Sequence, residues 1–179
     1  SAGSRILVER SRYGEVVERM AARIAGLTAG PALADHDLGP VISARQKARI
    51  EGILGQADGL SLAAEGRIAG DAPDGGFYLA PRLYAEVRPD HPLAQQEIFG
   101  PVLVAIPFDS EEEAVARAND TEFGLSAGVF TRDLPRAHRV TAELQAGTCW
   151  INSYNLTPVE VPFGGFKQSG IGRENSLAA

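Results

Sequence analysis

Glu97 and Phe99 stand two residues apart in the stretch Glu97-Ile98-Phe99-Gly100-Pro101. A carboxylate at this place can accept hydrogen bonds from the hydroxyl pair of a ribose. A phenyl ring two residues later can lie against a planar ligand ring. Gly100 lets a ligand come close to the backbone, and Pro101 stiffens the turn. Polar residues precede the acid (Pro89-Asp90-His91-Pro92, then Gln95-Gln96), and the apolar run Val102-Leu103-Val104-Ala105-Ile106 follows it. The acid and the ring therefore fall on the lip of a buried strand. The residues alone also allow a plainer reading, in which a Gly-Pro turn feeds a core strand and Glu97 is merely solvated.

A second group of candidates lies near the C-terminus. The apolar run Thr148-Cys149-Trp150-Ile151-Asn152 opens into a long polar loop from Asn152 to Glu160. Ligands of open α/β sheets collect at the carboxyl ends of strands, so Tyr154 and Asn155 could wall a substrate. The glycine-rich segment from Pro162 to Glu174 follows, with Lys167 and Arg173. It lacks the Gly-Lys-Ser/Thr order of a phosphate loop and opens no clear helix, so both cations are expected to pair with acids or carbonyls. Cys149 lies inside an apolar run, where a thiol has a raised pKa and is inert. It is the single cysteine of the chain, which excludes an internal disulfide framework and an all-cysteine metal site. His36, His91 and His138 have no metal-ligand spacing, and a metal-free protein is expected.

The elements that must position these residues alternate between two periods. Arg5 to Glu9 reads as a strand, and Ser11 could cap the helix that follows. Val16, Val17, Met20, Ala21, Ile24 and Leu27 form one apolar face of that helix, with Met20 as core filler, and Gly26, Gly30 and Pro31 stop it. Residues 28–37 read as a loop. Ser43 and Gln46 have capping-box spacing ahead of a helix carrying Ile50, Ile53 and Leu54 and ending at Gly55. Leu60 to Ala64 reads as a weak strand and Gly66 to Gly76 as an exposed loop. Phe77 to Pro81 with Leu83 and Tyr84 reads as an edge or irregular strand. A strand to Phe108, a helix capped at Asp109 or Ser110 with Glu111, Glu112 and Glu113 in its first turn, and a strand over Phe123 to Phe130 come next. A helix from Asp133, with Ala137, Val140 and Leu144 on one side and Gly147 at its end, completes the alternation. This pattern implies βαβ units: an α/β fold of three layers, a mostly parallel sheet with helices on both faces.

The 179 residues can hold a real core, with 44% hydrophobic and 22% charged residues. No stretch reaches the roughly 20 apolar residues of a bilayer span, and nothing at the N-terminus reads as a signal peptide. A net charge of -6 disfavours nucleic acid and anionic membrane as partners. A cytoplasmic protein is expected.

The chain resembles the C-terminal, catalytic-domain part of the NAD(P)-dependent aldehyde dehydrogenase superfamily. The resemblance runs along essentially all residues, 1–179 as a single catalytic domain. It rests on Leu38-Gly-Pro-Val-Ile-Ser43 with Gln46, on Glu97-Ile-Phe-Gly-Pro-Val102, and on Asn119 with Gly124-Leu125. Gly147-Thr-Cys-Trp-Ile-Asn152 and Pro162-Phe-Gly-Gly165 with Ser169-Gly170 and Gly172-Arg-Glu174 complete it. The loop from Asn152 to Glu160 resembles the betaine-aldehyde and trimethylaminobutyraldehyde branch. The resemblance implies that Glu97 holds the nicotinamide ribose hydroxyls and that Phe99 packs beside the nicotinamide of NAD, with NADP the alternative. It implies that Phe163 lines the aldehyde tunnel, that Tyr154 and Thr157 lie near its mouth, and that Asn152 begins that loop. Aromatic walls would suit a cationic aldehyde, although Thr157 supplies no ring.

The family nucleophile is a cysteine that forms a thiohemiacetal with the aldehyde. In family sequences Ser-Ala-Gly-Ser-Arg lies directly after it, so the residue matching the nucleophile would stand just before Ser1. No catalytic residue is assigned within 1–179. The general-base glutamate, the oxyanion-hole amide, the N-terminal dinucleotide-binding domain and the C-terminal oligomerisation strand are expected to lie outside the chain, which alone is expected to be inactive. Its partners would be a small aldehyde and further copies in a dimer or tetramer. The alternative is a free-standing structural or interaction fragment without turnover.

Overall fold

A computed structural model describes residues 2–177. They form two compact units, residues 4–108 and residues 109–177 with 2 and 3, and each is described by itself.

In the first unit β1 (Arg5–Glu9) leads directly into α1 (Arg10–Ala25). Glu9, not Ser11, precedes the first helical residue, and the Ser11 hydroxyl instead donates to the Glu9 carboxylate at 2.8 Å. The strand runs into the helix with no free residue between, so Ser11 falls inside the first turn. β2 (Thr28–Ala29) follows, in a stretch whose polarity reads as a loop, and it pairs in parallel with the equally short β4 (Arg67–Ile68). Between them lie α2 (Ala44–Leu54) and β3 (Ser61–Glu65). β5 (Arg82–Ala85), α3 (Pro92–Gln95) and β6 (Val102–Phe108) complete the unit.

The sheet order is β1-β6-β5-β3. β1 and β5 both run parallel to β6, and β3 closes one side antiparallel to β5. The segment expected at an edge is therefore internal. Pro81 ends the irregular lead-in, and β5 begins after it, so no ladder donor is lost inside the strand. Alternation along β5 and β6 sends successive side chains to opposite faces. Tyr84, Val104 and Ile106 pack with Ile50 and Ile53 of α2 and with Leu93 and Ala94 of α3. Leu83 and Ala105 pack on the other face with Val8, Tyr13, Met20 and Ile24. Helices thus cover both faces of a mostly parallel sheet, the three-layer α/β arrangement expected. Tyr13 is buried under it and its hydroxyl donates to the Ala105 carbonyl at 3.1 Å and accepts from the Glu86 amide at 2.6 Å.

In the second unit α4 (Glu111–Asn119) is capped by Ser110, whose Oγ accepts from the Glu113 amide at 3.2 Å. The apolar stretch from Phe123 splits into two strands rather than one. β7 (Phe123–Gly124) pairs antiparallel with β10 (Phe166–Lys167), while β8 (Ser126–Val129) pairs in parallel with β9 (Thr148–Ile151). Leu125 lies at the change of partner, a switch that a period-2 pattern does not reveal. α5 (Leu134–Glu143) is capped by Asp133 and stops at Leu144, before Gly147. Gly147 is needed for close packing instead, because a Cβ there would run into the Gly164 carbonyl.

Candidate functional site

The turn that carries Glu97 is built from both sides. His91 caps the short α3 by accepting from the Leu93 amide at 3.1 Å, and Gln95 donates to the Pro89 carbonyl at 2.7 Å. Leu93, Ala94 and Ile98 are buried in the core. With Ile98 pinned inward, its neighbours Glu97 and Phe99 face outward and are exposed. Phe99 is 71% exposed and has φ of 57°. A left-handed phenylalanine costs about 1–2 kcal/mol relative to the ordinary conformation, so something must hold it.

The hold comes from α2. Arg49 donates to the Glu97 carbonyl at 2.6 Å and to the Ile98 carbonyl at 3.0 Å. Gln46 donates to the Ile98 and Phe99 carbonyls, both at 3.3 Å. Ser43 caps α2 by accepting from the Gln46 amide at 3.2 Å, as its spacing indicates, but the Gln46 side chain does not reach back to the cap. It turns to the 97–99 turn instead, because three carbonyls there need donors. Gly100 is needed for contact with α2, since a Cβ there would meet Ile50 Cδ1 at 2.7 Å. The Glu97 carboxylate has no hydrogen bond or ion pair among the described residues. An unpaired, exposed acid beside an exposed ring on a braced turn can accept from a diol and lie against a flat ring.

In the second unit the candidates lie on and beside the loop after β9. Asn152 has φ of 51°, and its amide group is taken up by the backbone of Thr131: Oδ1 accepts from the amide at 2.9 Å and Nδ2 donates to the carbonyl at 2.9 Å. It starts the loop by clamping it. Tyr154 tilts against Trp150, ring centroids 4.7 Å apart, and its hydroxyl lies 3.5 Å from Ser126 Oγ. Its ring fills the space over Gly128, where a Cβ would meet it at 2.8 Å. Trp150 in turn donates from Nε1 to the Leu156 carbonyl at 2.8 Å, which ties down the loop. Thr157 is exposed beyond that tie, and Phe163 is half-buried, its backbone paired both ways with Glu174 at 2.8 Å.

Lys167 and Arg173 both serve the backbone. Lys167 Nζ donates to the Asn119 carbonyl at 2.7 Å and the Thr121 carbonyl at 3.1 Å. Arg173 donates to the Gly165 and Gly172 carbonyls and lies 4.8 Å over the Phe166 ring. These contacts agree with the missing phosphate-loop order. Cys149 is half-buried rather than fully buried, and its thiol is still pushed up in pKa by desolvation, away from a ready thiolate.

Residues 1–179, together, match the aldehyde dehydrogenase family. The chain belongs to the aldehyde dehydrogenase family. It is 53% identical over its whole length to a betaine aldehyde dehydrogenase of Mesorhizobium japonicum and covers 38% of that protein. Among solved structures it superposes with a TM-score of 0.92 on an aldehyde dehydrogenase from Bacillus cereus in complex with NAD+, at 40% identity, covering 99% of this chain and 36% of that one. It superposes with a TM-score of 0.93 on a betaine aldehyde dehydrogenase from Staphylococcus aureus in complex with NAD+, at 36% identity, covering 99% of this chain and 37% of the other. The chain thus spans less than two fifths of the length of these aldehyde dehydrogenases.

Two residues that brace the 97–99 turn are not found by sequence reasoning in their actual roles. Gln46 is read as a capping-box residue and as part of a stretch that carries the resemblance, and Arg49 is not singled out. The signal that could find them is their spacing: three apart, one turn of the same helix, on the edge of the face that carries Ile50 and Ile53. No helix among the described residues is long and apolar enough to cross a membrane.

Proposed function

We propose that this chain contributes the nicotinamide-facing turn and the substrate-facing loop of an enzyme that oxidises an aldehyde to a carboxylic acid with NAD, NADP being the alternative. The observation that carries the reading is the turn at Glu97 and Phe99, an unpaired carboxylate and an exposed ring held outward by Arg49 and Gln46 in a member of the aldehyde dehydrogenase family. When bound, the dinucleotide supplies the hydride acceptor. Glu97 would accept from the ribose hydroxyls next to the nicotinamide, and Phe99 would pack beside the ring. Orientation of this kind lowers the barrier to hydride transfer.

Phe163, Tyr154 and Thr157 are assigned to the path of the aldehyde, with Asn152 setting the start of their loop. The aldehyde carbon would be attacked by a cysteine to give a thiohemiacetal. Cys149 is not assigned that role, because it is half-buried within β9 with its thiol towards the Ala146 carbonyl. Betaine aldehyde is the first substrate to try, because the Mesorhizobium and Staphylococcus relatives are named for it. A catalytic-domain role in a cytoplasmic homo-oligomer, dimer or tetramer, follows from the same resemblance.

The test is Glu97→Gln in the full-length protein. It keeps the size of the side chain and removes the charge that accepts from the diol. Affinity for NAD and turnover with betaine aldehyde should both fall, by about tenfold or more for the loss of charge-assisted hydrogen bonds. Unchanged affinity and turnover would refute the assignment.

A further inference from the structure

We infer that Tyr154 is a positioning residue for the attacking cysteine: its ring holds the stretch at Gly3, and through that stretch the backbone that carries the thiol. This rests on the thiohemiacetal reading given above, in which the resemblance puts the cysteine directly ahead of Ser1. It gives Tyr154 a task besides that of walling the aldehyde path.

β8 and β9 run side by side, with Ser126 opposite Thr148 and Gly128 opposite Trp150. Residues two apart on a strand share a face, so these four lie on one face of the pair. Two of them leave room there, because Gly128 has no side chain and Ser126 a short one. The Tyr154 ring takes that room: a Cβ on Gly128 would stand 2.8 Å from its Cδ2. The buried Trp150 bounds the ring on one side, with centroids 4.7 Å apart and planes at 53°. The hydroxyl lies 3.5 Å from Ser126 Oγ, a distance that marks where the ring points more than it adds energy. The same end of the ring meets Gly3, where a Cβ would lie 3.6 Å from both Cζ and the hydroxyl oxygen, ordinary contact distance. Residues 2 and 3 belong with Tyr154 to the second unit and lie outside every strand and helix. No ladder fixes them, and a flat ring seated on two strands supplies the missing support. All these contacts are made within the chain and need no bound aldehyde. A wall residue acts on KM according to the bulk of the aldehyde. A positioning residue acts on kcat and on the thiol itself, with or without aldehyde.

The experiment follows alkylation of the cysteine ahead of Ser1 by iodoacetamide, in the full-length protein without aldehyde or NAD. Peptide mass mapping separates that thiol from Cys149, and steady-state kinetics with betaine aldehyde accompany it. Tyr154→Leu keeps apolar bulk and removes the flat ring, while Tyr154→Phe keeps the ring. Tyr154→Leu should slow both alkylation and kcat by about tenfold or more, the scale of a misplacement of about 1 Å, with KM changed by less than about threefold. Tyr154→Phe should stay within about twofold of wild type in all three, because the ring is kept. Gly128→Ala, which pushes the ring off the strand, should act as Tyr154→Leu does, and it carries the test if Tyr154→Leu does not fold. Wild-type alkylation in Tyr154→Leu, or a change confined to KM, would overturn the proposal and leave Tyr154 as a wall alone. A lowered unfolding midpoint with unchanged alkylation would also overturn it, since the ring would then serve stability only. A loss as large in Tyr154→Phe would overturn it too, because the hydroxyl would then be the part that acts. Turnover that persists in wild type after this cysteine is fully alkylated would remove the underlying reading, and the proposal with it.

Discussion

Among the described residues nothing pairs with the Glu97 carboxylate. An exposed carboxylate is ordinary on a protein surface, but here it is joined to an exposed ring in a left-handed conformation, held by two side chains of a separate helix. Lys167 illustrates the opposite case. Its sequence context, among glycines, invites a phosphate, and its contacts are two backbone carbonyls. Lys167→Met is expected to destabilise the fold by about 1–2 kcal/mol, the range for a charged donor lost from carbonyls at an exposed site. Thermal or denaturant unfolding checks this, and inorganic phosphate should give wild type no protection. The backbone role of Lys167 and Arg173 is legible from the missing phosphate-loop order. The roles of Gln46 and Asn152 are not. Both side chains spend their amides on backbone far along the chain, on Phe99 and on Thr131, and local spacing carries no record of such a partner.

The four longer helices are legible in the sequence because their signals are local, whereas the one-turn α3 falls in a stretch that reads as polar loop. Ser43, Ser110 and Asp133 each accept from the amide three residues on, and Ser110→Ala or Asp133→Ala should each cost about 1 kcal/mol of stability, read from denaturant midpoints. Strands are less legible, because a strand's neighbour lies elsewhere in the sequence. Pro81 suggests an edge, yet Leu83 is fully buried in an internal strand. Leu83→Ala is therefore expected to cost about 2–5 kcal/mol, where an edge position would lose far less. The first turn of α4 also meets α5: the Glu111 carboxylate accepts from Arg139 at 2.7 and 3.0 Å and pairs with Arg136 at 3.0 Å. Arg139, first, and then Arg136 hold Glu111 below its ordinary pKa of 4.5. A lowered folded-state pKa means that its stabilising contribution is full above the ordinary value and is lost as pH falls through the lowered one. Glu111→Gln should lower stability at neutral pH and change it little in strong acid, so that the acid side of the profile flattens, as unfolding followed between neutral and acid pH would show.

At the scale of the whole molecule, the proposed function gives each unit one part of the chemistry. On that proposal the unit with the four-stranded sheet offers the turn for a dinucleotide's nicotinamide end. The other offers a loop fastened by Trp150, Asn152 and Glu174, with Tyr154, Thr157 and Phe163 along or beside it. The three-layer α/β class is legible from alternating periods. The division into two compact units is not, because no linker rich in glycine or proline marks the passage from Phe108 to Asp109. The central claim is that the 97–99 turn faces the reacting end of a nicotinamide dinucleotide. The most direct measurement is betaine-aldehyde-dependent NADH formation by the full-length protein, wild type against Glu97→Gln, at saturating and at limiting NAD. Robust turnover in wild type, with a loss of about tenfold or more in Glu97→Gln at limiting NAD, is the expected result. Equal rates in the two proteins at both NAD concentrations would contradict it.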